Sequence, residues 1–321
     1  MSKDRAKISL GYGVMCRSLG LSSGKTPSPK TNPHFEEVVA RARINMECVI
    51  RILCWNFTNG IRYFRMSDHM IPQLYRSDAA QLCSRLAPDL HELRRIIDEW
   101  GIRVTFHHTG FALSADPRKW ENYAARIIRY ATILEELGPN AWMECHLGTR
   151  NLKVNWLDQM VHNIQSLPYW VQAKMTLEND AAWCPWDTLA VCQKTGLPFT
   201  YDIEHHRLFA RTRVSEPPTV FTSESVATFV HHAKQTWDAR EAATTVHVSS
   251  PVDPTAHEDT HADYVTFEDY ARLRRALSEV GGQYYIVVEA KGMDEAVLQL
   301  QRLVNGRRPP WAIQDSGGSW V

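Results

Sequence analysis

Six segments of the chain end alike, with a run of β-branched or aromatic residues followed by a histidine or carboxylate. They are Arg103-Val-Thr-Phe-His107, Trp142-Met-Glu-Cys-His146, Met175-Thr-Leu-Glu178, Phe199-Thr-Tyr-Asp202, Thr245-Val-His247 and Tyr285-Ile-Val-Val-Glu289. Imidazole nitrogen and carboxylate oxygen together suit Zn²⁺, Mn²⁺ or Fe²⁺ better than Ca²⁺ or Mg²⁺. The sharpest local pattern is Asp202-Ile-Glu-His205, where a D-x-x-H at a strand end can set both side chains on one ion. In Leu177-Glu-Asn-Asp180, Glu178 can bridge two ions, while Asn179 is expected to orient a ligand or a phosphate. His247 and His261 flank a long loop, and Glu289 closes the set. Taken singly, a carboxylate at a strand end is more often a helix N-cap than a ligand. The recurrence of ligand types at six ends is what points to metal. Two or three clustered divalent ions suit in-line displacement at phosphorus, one ion making hydroxide and the others stabilising the attacking and leaving oxygens. The same ligands can also serve sugar isomerisation, so the chemistry stays open at this point.

Such residues need a scaffold that collects strand ends. Each run is short enough for a buried strand and is followed by a segment of helical periodicity. Helices are expected near 35–57, 80–100, 117–137, 155–167, 186–194, 223–234, 267–280 and 294–303, several closed by glycine: Gly60, Gly101, Gly138, Gly196 and Gly281. With strands at Ile8–Tyr12 and Ile61–Met66 added, eight strand–helix units result. That alternation predicts a single (β/α)8 TIM barrel over 1–305, with 306–321 a flexible tail rich in Gly, Pro and Arg. The segments 108–111, 207–222 and 249–264 read as loops, and the two long ones fall on the face where such barrels build their sites.

Bulk properties narrow the class. Lys plus Arg equals Asp plus Glu at 36 each, so no overall basic field marks the chain for nucleic acid. An enzyme can still focus positive charge in one groove. The seven scattered cysteines include no C-x-x-C pair and read as reduced thiols of a cytoplasmic protein. No signal peptide or membrane-spanning run is expected. Ser23-Gly-Lys-Thr26 is not a phosphate loop, because its first glycine would fall at Leu19.

Longer motifs occur in a telling order: Leu10-Gly-Tyr-Gly with Cys16, Leu53-Cys-Trp-Asn-Phe-Thr-Asn-Gly-Ile61, Tyr63-Phe-Arg-Met-Ser67 with Pro72, Val104-Thr-Phe-His107, Leu177-Glu-Asn-Asp180, Asp202-x-x-His205-His206, Val246-His-Val-Ser-Ser250, His261-Ala-Asp263 and Val288-Glu-Ala-Lys291. Across nearly the whole chain, to about Leu303, this resembles the UV-damage endonuclease family, relatives of endonuclease IV on a xylose-isomerase-like barrel. The resemblance implies a three-metal, usually manganese-dependent, site that incises damaged double-stranded DNA 5′ to a lesion, leaving a 3′-hydroxyl. It implies His107, His146, Glu178, Asp202, His205, His247, His261 and Glu289 as ligands, with Glu178, Asp202 and Glu289 central to catalysis. Tyr12 matches a tyrosine placed against the damaged DNA. Two or three ions are expected, Mn²⁺ first and Zn²⁺ or Fe²⁺ as alternatives, in a monomer with no obligate protein partner.

The chain departs from that pattern in three places. Thr245 stands where the family has a lysine that can be carboxylated. His108-Thr-Gly-Phe111 replaces a Pro-Gly-Gln-Tyr wedge, leaving Phe111 to stack on the lesion. Tyr75-Arg76 replaces a Ser-His, and His69 is the candidate substitute ligand. The competing readings are a sugar isomerase or epimerase, and a non-catalytic DNA-binding relative.

Overall fold

The computed structural model describes residues 6–26, 34–72, 74, 78–148, 155–213, 220–253, 255 and 260–304, and the backbone alone of 108–112. The expected barrel forms. Eight parallel strands close on themselves: β1 (Lys7–Gly13), β4 (Tyr63–Ser67), β5 (Arg103–Ala112), β6 (Ala141–His146), β7 (Met175–Glu178), β8 (Phe199–Asp202), β9 (Thr244–Val248) and β10 (Gln283–Val288), which returns to β1. A two-stranded antiparallel piece, β2 (Met15–Cys16) with β3 (Leu21–Ser22), sits inside the first connection. Between barrel strands run α1 (Phe35–Thr58), α2 (Ala79–Trp100), α3 (Pro117–Glu136), α4 (Trp156–Gln165), α5 (Tyr169–Gln172), α6 (Pro185–Thr195), α7 (Ile203–Thr212), α8 (Ser223–Asp238) and α9 (Phe267–Val280), and α10 (Asp294–Val304) follows β10. The tail expected over 306–321 lies outside the described residues.

Local chemistry explains the boundaries. Asp78 and Asp116 cap α2 and α3 by accepting backbone N–H bonds, and Pro117 takes the first turn, where its missing donor costs nothing. Gly101 and Gly196 end α2 and α6 in the left-handed region, at φ 58° and 72°. Two loop expectations are corrected. β5 continues to Ala112 instead of stopping at His107, with its pairing to β6 shifted between those residues. The stretch after Asp202 forms α7 at once, because the Asp202 carboxylate accepts the His205 backbone N–H at 2.7 Å and caps it.

Strand alternation sorts side chains into two sets. The residues that face into the barrel come in pairs two apart: Tyr63 and Arg65, Thr105 and His107, Glu144 and His146, Thr176 and Glu178, Thr200 and Asp202, Thr245 and His247. The upper member of each pair sits at the C-terminal mouth. The lower members form a polar layer beneath, joined by bonds such as Thr176 to Thr200 at 2.6 Å and Tyr63 to Thr105 at 2.8 Å. On β1 the inward positions are Gly11 and Gly13. A Cβ on Gly11 would stand 2.5 Å from the Tyr63 carbonyl oxygen, and one on Gly13 would stand 2.8 Å from Arg65 Nε. The two glycines thus make room for Tyr63 and Arg65.

Candidate metal centre

Seven of the eight expected ligands converge directly on one another. Glu178 is the hub, fully buried at the end of β7. Its Oε2 lies 3.4 Å from His107 Nε2 and 3.5 Å from His146 Nε2. Its Oε1 lies 3.1 Å from His247 Nδ1 and 3.4 Å from His205 Nδ1. His247 Nδ1 also approaches Glu289 Oε1 at 3.3 Å and Asp202 Oδ2 at 3.8 Å. His261, carried on the connection after β9, joins from the rim, with Nε2 3.6 Å from Glu289 Oε2.

Two groups have donor atoms close enough to share an ion: His107, His146 and Glu178, and Glu178, Asp202, His247 and Glu289. Glu178 belongs to both. His205 and His261 fall outside these groups but line the same cavity of about 370 Å³, together with Arg65 and Asp180.

The donor set fits a divalent cation. Both Glu178 oxygens, Asp202 Oδ2 and His247 Nδ1 are buried and make no hydrogen bond among the described residues. Buried carboxylates whose nearest partners are ring nitrogens held out of hydrogen-bond alignment have room for a cation between them. The electrostatics agree. Burial alone would lower the His247 pKa, yet Glu178, Glu144 and Glu289 hold it well above the ordinary histidine value. Burial would raise Glu289, but Arg65 and His247 pull it well below the usual carboxylate range. Burial drives His146 down to about 4, against the pull of Glu178. Imidazolium and guanidinium balance the acids where no ion is bound.

Sequence reasoning missed three participants. Arg65 is ion-paired with Glu289 on the cavity wall. Asp180 Oδ2 stands 4.0 Å from His146 Nδ1. Glu144, fully buried, lies beneath the ring and touches His247. Glu144 and Arg65 were readable from period two, since each shares a strand face with a residue two positions away.

The other expected residues are placed as follows by the fold. Tyr12 does not face the mouth. It is fully buried and turned outward from β1, its hydroxyl donating to Asn56 Oδ1 of α1 at 2.8 Å and its ring edge-on to Phe64. Because Gly11 and Gly13 take the inward positions, the residue between them must point to the helix layer. Asn179, expected to orient a ligand or a phosphate, is also fully buried, and its amide is engaged with the Asp202 backbone. His69 is half-exposed in the short turn Asp68–Met70, faces Asp68, and stays outside both donor groups. The side chain of Phe111 and residues 75–76 lie outside the described residues. Thr245 faces inward and accepts a 2.9 Å bond from Arg103.

The sequence model for the UV-endonuclease UvdE family matches residues 11–309. The chain belongs to this family. Among its relatives is the UV DNA damage endonuclease of Bacillus mycoides (strain KBAB4), 28% identical over 80% of this chain and 79% of the relative. That of Bacillus anthracis (strain A0248) is 26% identical over 86% of each. Among solved structures, SacUVDE superposes with a TM-score of 0.79 at 22% identity, covering 93% of this chain and 98% of that one. A xylose isomerase domain protein from Planctomyces limnophilus reaches 0.54 at 12% identity, over 95% and 97%. At these identities both structures establish the barrel of this UvdE-family chain and nothing further. No helix among the described residues is long and apolar enough to cross a membrane.

Proposed function

We propose that this UvdE-family chain is a metal-dependent endonuclease that hydrolyses a phosphodiester bond 5′ to a lesion in double-stranded DNA. One observation carries the reading: Glu178 is shared by two donor groups at the open mouth of the barrel. A carboxylate common to two sites sets two ions side by side, and in-line phosphoryl displacement uses such a pair. The names of the Bacillus relatives direct the reading to UV damage.

In this proposal His107, His146 and Glu178 would hold one ion, and Glu178, Asp202, His247 and Glu289 would hold another. His205 and His261 would complete the shell or hold a third. Mn²⁺ is the first choice, Zn²⁺ or Fe²⁺ the alternatives. When bound, such ions lower the pKa of water and neutralise charge on the phosphate oxygens. Water adds to phosphorus and the bond to O3′ breaks, leaving a 3′-hydroxyl and a 5′-phosphate. The chain's own residues orient the reactants. Arg65 offers its guanidinium on the cavity wall to a phosphate oxygen. His261, with its side chain 29% exposed, is the ring member nearest to solvent and substrate. The sugar-isomerase alternative gains nothing from its structural neighbours, whose likeness is one of fold.

The test is incision of a duplex carrying a single UV photoproduct, with protein purified without chelator and loaded with Mn²⁺. Strand cleavage on the 5′ side with a 3′-hydroxyl terminus is expected, together with two or three ions per chain by elemental analysis. Metal-loaded, folded protein that leaves every lesion duplex intact would refute the nuclease. Fewer than one ion per chain after loading would refute the metal centre.

A further inference from the structure

Four strands share one inward sequence, a threonine two residues before the residue at the mouth: Thr105 before His107, Thr176 before Glu178, Thr200 before Asp202 and Thr245 before His247. β6 breaks the pattern with Glu144 before His146. A carboxylate therefore replaces a hydroxyl in the layer under the ring, where nothing reaches solvent. Its partners are definite. Tyr63 donates its hydroxyl to Glu144 Oε1 at 2.8 Å, and Thr105 Oγ1 lies 3.4 Å from Oε2. His247 Nε2 lies 3.2 Å from Oε1.

An ionised carboxylate can only accept, so the contact with His247 requires the proton to sit on Nε2. That leaves Nδ1 as the nitrogen turned toward Glu178, Glu289 and Asp202. Nδ1 is buried and makes no hydrogen bond among the described residues. We infer that Glu144 is a positioning residue: it holds the Nε2–H of His247, so that Nδ1 is the nitrogen presented to a bound cation. It touches no ion or substrate itself. Tyr63 and Thr105 hold it in turn, a carboxylate–histidine–metal relay of the kind that raises ligand basicity and locks the ring. This rests on the metal-centre reading above but not on DNA as the substrate.

The experiment titrates the purified full-length protein with Zn²⁺ against a chromophoric chelator and records ¹⁵N-histidine spectra of the loaded protein. Wild type should show His247 protonated at Nε2 and ligated through Nδ1. Glu144→Ala should bind Zn²⁺ about ten- to a hundredfold more weakly. Glu144→Met fills the same volume without an acceptor and covers the case in which alanine does not fold; it should lose as much. Glu144→Gln keeps an acceptor oxygen and should recover affinity to within about threefold. A merely structural Glu144 would instead lower the melting temperature of the Met variant and leave its affinity at the wild-type value. That result, or a wild-type spectrum with Nε2 as the ligating nitrogen, would overturn the inference. Absence of Zn²⁺ uptake by the wild type would overturn the metal centre beneath it.

Discussion

Asn179 and Asp202, on neighbouring strand ends, are joined by two hydrogen bonds: Asn179 Nδ2 donates to the Asp202 carbonyl at 2.9 Å, and the Asp202 N–H donates to Asn179 Oδ1 at 2.9 Å. The amide thereby acts as a splint, continuing the ladder one step beyond the last paired residues of β7 and β8, Glu178 and Thr200. Replacing Asn179 by alanine strands a buried N–H and a buried carbonyl. We expect a loss of about 1–3 kcal/mol in urea denaturation and weaker metal uptake, because Asp202 loses its fixed backbone. An Asn179→Ala protein as stable as wild type but defective only in lesion binding would restore the amide to the DNA surface.

Glu178→Gln preserves shape and removes charge at the hub. The bound-ion count should fall by at least one, and incision should slow by about a hundredfold or more, as for loss of a ligand to a catalytic metal. Elemental analysis beside the nicking assay checks both. A full complement of ions would show that Glu178 is not shared between sites.

Arg65 and Glu289 form a partly buried ion pair, with side chains 17% and 7% exposed. Arg65→Ala leaves Glu289 among acids with one cation fewer. The metal-free protein should lose about 3 kcal/mol, as when one partner of a buried pair is removed. Loading with Mn²⁺ should shrink that loss to less than half, since the ion neutralises Glu289. Equal losses with and without metal would rule out this exchange of partners.

Behind the ring, His206 is buried against Phe221 and Phe229, with Nδ1 2.7 Å from the Tyr201 hydroxyl. Burial pushes its pKa from 6.5 down to about 4. Above about pH 6.5 it is neutral in both states, and its contribution to stability is fully present. As the pH falls toward 4, the unfolded chain takes up the proton first and that contribution is lost. Relative to His206→Phe, wild type should lose up to roughly 3 kcal/mol between pH 7 and pH 4. The Phe variant also strands the Tyr201 hydroxyl, but that offset does not vary with pH. A difference constant across the range would refute the burial effect.

Much of this was legible in advance. The six runs marked strands because each is short, rich in β-branched and aromatic residues, and followed by a segment of helical periodicity. The terminal residues marked one end of a barrel because every such strand stops on the same face. Asp202 was ambiguous between cap and ligand, and it serves as a cap while aiming its second oxygen into the ring. Tyr12 misled because its two glycine neighbours carry no hydropathy, so the facing of β1 left no trace in composition. Glu144 was hidden inside an apolar run, where its acidity reads as an irregularity.

The sequence alone determined the family, the barrel and the strand ends that bear ligand-type residues, since these depend on residue type and spacing along a chain. Only the tertiary structure decided that Glu178 is the shared centre, that Arg65 answers Glu289 across 224 positions, and that Glu144 meets His247 while Asn179 holds the Asp202 backbone. Those relations depend on which side chains meet inside a closed barrel. Closure sets distances between strands whose separation along the chain carries no information about them.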